Sequence, residues 1–125
     1  MNKAAVIVLS DPQAGSEEAM GRLFNALAAV YDFKQRGDDV QLLFQGAGTR
    51  WAGELVNREH PAYELFQTVK DKTAGVSCGC ADVFGAREGA LRCGLDLITE
   101  NNVPTTTGLP SLARLTAEGY SILTF

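Results

Sequence analysis

Positive charge is nowhere concentrated in this chain. Its 11 Lys and Arg are dispersed among 15 Asp and Glu, leaving a net charge of −4. Nucleic acids and anionic membrane surfaces are gripped by basic patches, so neither is an expected partner. Apolar runs are short as well: Ala4 to Leu9, the longest early one, is too brief for a membrane span or a signal-peptide core. A cytoplasmic location is therefore expected. With one histidine, His60, and three cysteines, the chain has little from which to build a metal shell. Zinc and copper sites need about four converging ligands, so no metal is expected. The odd cysteine number also argues against a disulfide framework. Nucleotide and hydrolase signatures are missing too. Gly46-Ala47-Gly48-Thr49-Arg50-Trp51 departs from GxGxxG at its last position, and no Walker-type or GxSxG motif occurs. No cofactor is expected.

What remains is an ordinary soluble composition, 46% hydrophobic and 21% charged, in a chain of 125 residues. That length fits one domain spanning residues 1–125. A domain near this size buries roughly two-thirds of its unfolded surface, enough for a core without cross-links. Lys3 to Leu9 (KAAVIVL) is a continuous apolar run, as expected for a strand buried on both faces. After a loop with Pro12 and Gly15, Ser16 is a natural helix cap, followed by Glu17 and Glu18. Met20, Leu23, Phe24, Leu27, Val30 and Tyr31 then recur at helical spacing up to a stop at Gly37.

Val40 to Phe44 is a second strand, followed by a glycine-containing loop and a helix from about Thr49 with Trp51 and Leu55 on one face. After the break at His60-Pro61, Tyr63, Leu65, Phe66 and Val69 mark another helix. Thr73 to Cys78 is the third strand, Cys80 to Cys93 reads as one helix, and Leu95 to Ile98 as a short strand. Thr99 to Leu109 has no clear pattern. Pro110 suits a first helical position, with Leu112 and Leu115 facing inward, and Tyr120 to Phe125 is the last strand. Alternating strands and helices at this spacing predict a parallel sheet covered on both faces.

Chemistry gathers at Gly75-Val76-Ser77-Cys78-Gly79-Cys80-Ala81-Asp82, where a strand ends in two cysteines as a helix begins. The unpaired N–H groups and positive dipole end of a helix favour anionic sulfur, the nucleophilic form. Cys80 and Cys78 are thus candidate catalytic residues. A plain alternative is that both are small buried hydrophobes. Cys93 reads as a core thiol: on a continuous helix it would lie about 20 Å from Cys80. Ligands of open parallel sheets bind beyond the carboxyl ends of the strands. That rule places Asp11, Arg50 and Trp51 on one rim with the cysteine pair, as candidate substrate-binding residues.

Several of these segments together resemble the DsrE/DsrF-like family, especially its YchN-like branch. They are the KAAVIVL strand, the long helix ending at Gly37, the FQGAG turn, the cysteine turn SCGCADVFGA, and the closing SLARLTAEGYSILTF. The resemblance implies a three-layer α/β/α sandwich with a mostly parallel sheet of about five strands, and a homo-oligomer, commonly a trimer or hexamer. It also implies sulfur relay: a persulfide held on a cysteine of this turn and exchanged with sulfur donor and acceptor proteins or small thiols. One departure stands out. In the branch pattern the turn reads roughly C-G-x-C. Counted back from Gly85, Cys80 matches the second cysteine, Ser77 occupies the first position, and Cys78 is displaced by one. Either the turn is rearranged or Cys80 carries the chemistry alone. Two other functions stay open beside the persulfide carrier or sulfurtransferase: a non-catalytic oligomer binding a small ligand or partner, and a thiol–disulfide redox protein using a strained Cys78–Cys80 bridge.

Overall fold

In the computed structural model, which describes residues 1–125, the central strand is β1 (Lys3–Val8). Residues Ala4 to Val8 are at most 1% exposed, because both faces of this strand are covered. It pairs with β2 (Asp39–Phe44) on one side and β5 (Ser121–Thr124) on the other; β3 (Thr73–Ser77) and β4 (Leu97–Ile98) extend the sheet beyond β2. The order is β4-β3-β2-β1-β5, and every pairing is parallel.

The helices follow from that order. From β1 to β4 each crossover steps the same way, so right-handed connections deliver their helices to one face. These are α1 (Glu17–Gln35), α2 (Trp51–Glu54), α3 (Tyr63–Val69), α4 (Cys78–Val83) and α5 (Arg87–Arg92). The last crossover reverses direction and lays α6 (Leu112–Ala117) on the opposite face. The result is a three-layer α/β/α sandwich with unequal layers. The main core holds 23 buried residues, including Leu23, Trp51, Phe66 and Ala90; the α6 side holds five, centred on Leu115 and Tyr120. No helix is long and apolar enough to cross a membrane.

Local chemistry sets the element ends. The Ser16 hydroxyl accepts from the Ala19 N–H at 3.2 Å, Glu17 and Glu18 occupy the first turn, and Gly37 at φ +78° ends the α1 segment. Several expected boundaries need correction. The segment at Gly46–Arg50 is a 3-10 turn, and the α-helix begins only at Trp51. Cys78 is the first residue of α4 and no part of β3. The predicted helix from Cys80 to Cys93 is two helices: Gly85 takes φ +66°, and the Ala86 N–H folds back onto the Ala81 carbonyl at 2.7 Å, ending α4. Ser111 caps α6, so Pro110, expected at the first helical position, lies before the helix, and Leu112, expected to face inward, is 40% exposed. Thr99–Leu109 is a looped segment closed by a bridge between Asn101 and Leu109.

Candidate functional site

The cysteine turn is built on Ser77. This buried residue ends β3, and its hydroxyl accepts from the Cys80 N–H at 3.4 Å as the N-cap of α4. A serine at this position satisfies an otherwise unpaired helix donor. Gly79 is required for a different reason. Its N–H donates to the Gly108 carbonyl at 2.7 Å, and a Cβ there would lie 2.8 Å from Leu109 Cδ1. The Thr99–Leu109 segment therefore lies directly over the turn, and its threonines enter the site.

The two sulfurs sit in different surroundings. Cys78 is 3% exposed, but polar groups close over it. Arg87 Nη2 lies 3.5 Å from its Sγ and Thr107 Oγ1 lies 3.2 Å from it. Both partners also hold Asp82: Thr107 Oγ1 is 2.6 Å from Oδ2, and Arg87 Nε is 3.1 Å from Oδ1. Donation from Thr107, reinforced by Arg87 against a smaller opposing effect of burial, lowers the Asp82 pKa and keeps it ionised. A hydroxyl has a single proton, and the closer carboxylate is the better acceptor. The Thr107 oxygen is then free to accept from the Cys78 thiol, while Arg87 supplies positive charge to the same sulfur. Cys80 is partly exposed and has no polar side-chain partner.

Asp11 and Arg50 do come together. Arg50 Nη1 lies 3.0 Å from Asp11 Oδ2, and Arg50 Nε donates to the Phe84 carbonyl at the end of α4 at 3.1 Å. The guanidinium also lies 5.4 Å from the centre of the Phe84 ring. The pair thus ties the loop after β1 to the far end of the cysteine helix, and neither residue bonds to a sulfur. Trp51 is 2% exposed in the main core, with its indole N–H donating to the Ser10 carbonyl at 2.8 Å. Cys93 is a core thiol at 4% exposure, and burial raises its pKa against the opposing charge of Lys70. No three His, Cys, Asp or Glu side chains converge as metal ligands.

Asp82, Arg87 and Thr107 were not singled out from sequence. Asp82 and Arg87 lie five residues apart across the Gly85 break, and a helix drawn straight through that break places them on different faces. Thr107 arrives from the segment without a pattern. Its only local signal is the run Thr105-Thr106-Thr107.

The chain is thus a small parallel α/β/α sandwich domain with two thiols at the strand-to-helix turn after β3, one of them against a cation. The sequence profile of the DsrE/DsrF-like family matches residues 2–125, and the chain belongs to that family. Among its relatives is an uncharacterized protein, MJ0733, of Methanocaldococcus jannaschii. It is 29% identical over 104 residues, covering 81% of this chain and 78% of the relative. No solved structure matches the chain.

Proposed function

We propose that the protein is a sulfur carrier of a relay, holding a persulfide on Cys78. One observation carries the assignment to this residue: the Arg87 guanidinium lies 3.5 Å from its sulfur, while the Thr107 oxygen takes the hydrogen bond of the resting thiol. Counting along the turn favours Cys80, whereas the side-chain surroundings favour Cys78. Membership of the DsrE/DsrF-like family supports the sulfur-relay setting. In the loading step, with the Thr99–Leu109 segment lifted from the turn to admit the donor, the Cys78 thiolate attacks the outer sulfur of a donor persulfide, R–S–SH. A new S–S bond forms on Cys78, the donor's S–S bond breaks, and the donor leaves as a thiolate that takes up a proton. Sulfur moves without net oxidation. Arg87 offsets negative charge at the sulfur, and Asp82, held through Thr107, keeps both partners in place. Cys80 is the accessible neighbouring thiol.

The test is intact-protein and peptide mass spectrometry after exposure to a small-molecule persulfide donor. A gain of one sulfur atom is expected on Cys78, kept in Cys80→Ser and lost in Cys78→Ser. Gain on Cys80 alone reverses the assignment, and no gain on either cysteine ends the carrier reading.

A further inference from the structure

The eleven cations are scattered in sequence, and more than half are paired with a carboxylate in the fold. Arg22, Lys34, Arg36, Arg50, Arg87 and Arg114 each pair with a carboxylate. Lys3 donates to the Glu118 carbonyl and lies over the Tyr120 ring. Arg58, Lys70, Lys72 and Arg92 form no ion pair and no side-chain hydrogen bond, and three of these four, Arg58, Lys70 and Arg92, line one cleft of about 290 Å³ between α2, α3 and α5. Tyr63 and Gln67 add polar groups to its wall, the buried Cys93 lies in its lining, and no carboxylate lines it.

Two of these cations lie close to glycine positions. Gly53 and Gly89 bring α2 and α5 into backbone contact, since a Cβ on Gly89 would lie 2.9 Å from Gly53 Cα. Arg92 lies across that contact, its Nη2 3.4 Å from where a Gly53 Cβ would be, on the wall shared by this cleft and the neighbouring one. Lys70 Nζ is 4.0 Å from the corresponding point on Gly94, just past the end of α5. The nearby carboxylates Glu54 and Glu88 line the neighbouring cleft on the other side of Arg92. In a chain of net charge −4, three cations without an ion pair in one concave site concentrate positive charge locally. Their mutual repulsion is relieved by a multiply charged anion, and guanidinium forks match the oxygens of a phosphate group.

We propose that this cleft binds a phosphate-bearing polyanion, held by Arg58, Lys70 and Arg92. The site lies beyond the sulfur-carrying reading and is separate from it. Lys70 and Cys93 precede β3 and β4, at the amino edge of the sheet, whereas the cysteine turn follows the carboxyl end of β3.

Isothermal titration calorimetry and amide NMR with pyrophosphate, and separately with ADP, test the proposal at low salt. Saturable pyrophosphate binding is expected, with shifts confined to the Leu55–Lys70 stretch and the Arg92–Cys93 end of α5. Arg58→Ala or Arg92→Ala should each weaken it about tenfold, the loss of one charge-assisted contact. Lys72→Ala, outside the cleft, should leave it unchanged. Both arginines are exposed, so their replacement leaves the core intact, which circular dichroism checks. ADP binding tighter than pyrophosphate assigns the cleft to a nucleotide with the Tyr63 side chain beside the base; weaker or equal ADP binding assigns it to a free phosphate compound. Absence of saturable binding by both probes, or unchanged binding in the Arg58→Ala/Arg92→Ala double variant, overturns the proposal.

Discussion

Cys78 and Cys80 are two residues apart, yet one is covered by an arginine and a threonine, both tied to an aspartate, while the other is partly open without a polar partner. The difference comes from where the first turn of α4 directs each side chain, and from what lies opposite. Arg87 is the residue whose removal separates charge from packing at this site. Arg87→Met keeps the length of the side chain and much of its cover but removes the cation facing the sulfur. Persulfide loading on Cys78 should slow about tenfold, corresponding to one charge-assisted contact. The check is a time course of sulfur gain by mass spectrometry, with Arg87→Lys restoring part of the rate. Equal rates in wild type and Arg87→Met would assign the arginine to holding Asp82 alone.

At the scale of elements, the proposed site depends on a loop lying across a helix start. Gly79 allows that approach. A Cβ at this position would meet Leu109 Cδ1 at 2.8 Å, the Gly108 carbonyl oxygen at 3.1 Å and Thr106 Cβ at 3.2 Å. The leucine can swing away, but the carbonyl cannot without losing its bond from the Gly79 N–H. Gly79→Ala should therefore cost about 1–3 kcal/mol as an overpacking substitution and lift Thr107 away from the sulfur. Urea denaturation gives the first quantity, and the Thr107 hydroxyl or methyl NMR signal reports the second. Much of this layer was legible beforehand. Ser16, with two glutamates and a regular apolar stripe behind it, marked α1, and the apolar Lys3–Leu9 run marked the central strand. The break at Gly85 was not, because a glycine inside a helical pattern is compatible with both continuation and termination. Only the bond from Ala86 back to Ala81 distinguishes the two.

Across the whole molecule, carboxylates with lowered pKa link folding to pH. Asp82 is lowered chiefly by Thr107, Asp38 by the backbone and side-chain donors of Asn2, and Asp71 by Lys34. Burial would raise Glu100, but the Ser111 N–H and the Arg114 guanidinium outweigh it. Ordinary values for these groups are 3.8 for Asp and 4.5 for Glu. Below those values the unfolded chain takes up protons before the folded one does. Stability should thus be full above the unfolded carboxylate range and fall as pH drops through the lower folded values. At the alkaline end, burial raises Cys93 and Tyr120 above their ordinary 9.0 and 10.0. The unfolded chain loses those protons first, so stability should decline again as pH rises past 9.0. Denaturation midpoints measured across the pH range should trace a plateau with a fall on each side. A flat profile in acid would mean that these contacts do not survive in solution.

By itself the sequence determined the layered architecture, because hydrophobic period and length decide strand or helix locally, and short connections between alternating elements leave only a parallel sheet. It also determined that two thiols meet a helix start, since Ser77, Cys78 and Cys80 are neighbours along the chain. Tertiary structure alone decided which sulfur faces a cation. Arg87 lies beyond a left-handed glycine and Thr107 lies 29 residues from Cys78, so no local pattern joins them. It also decided that Arg58, Lys70 and Arg92, dispersed in a net acidic chain, share one cleft without a carboxylate. Charge spacing along a chain does not fix charge spacing across a surface; the packing of α2, α3 and α5 does.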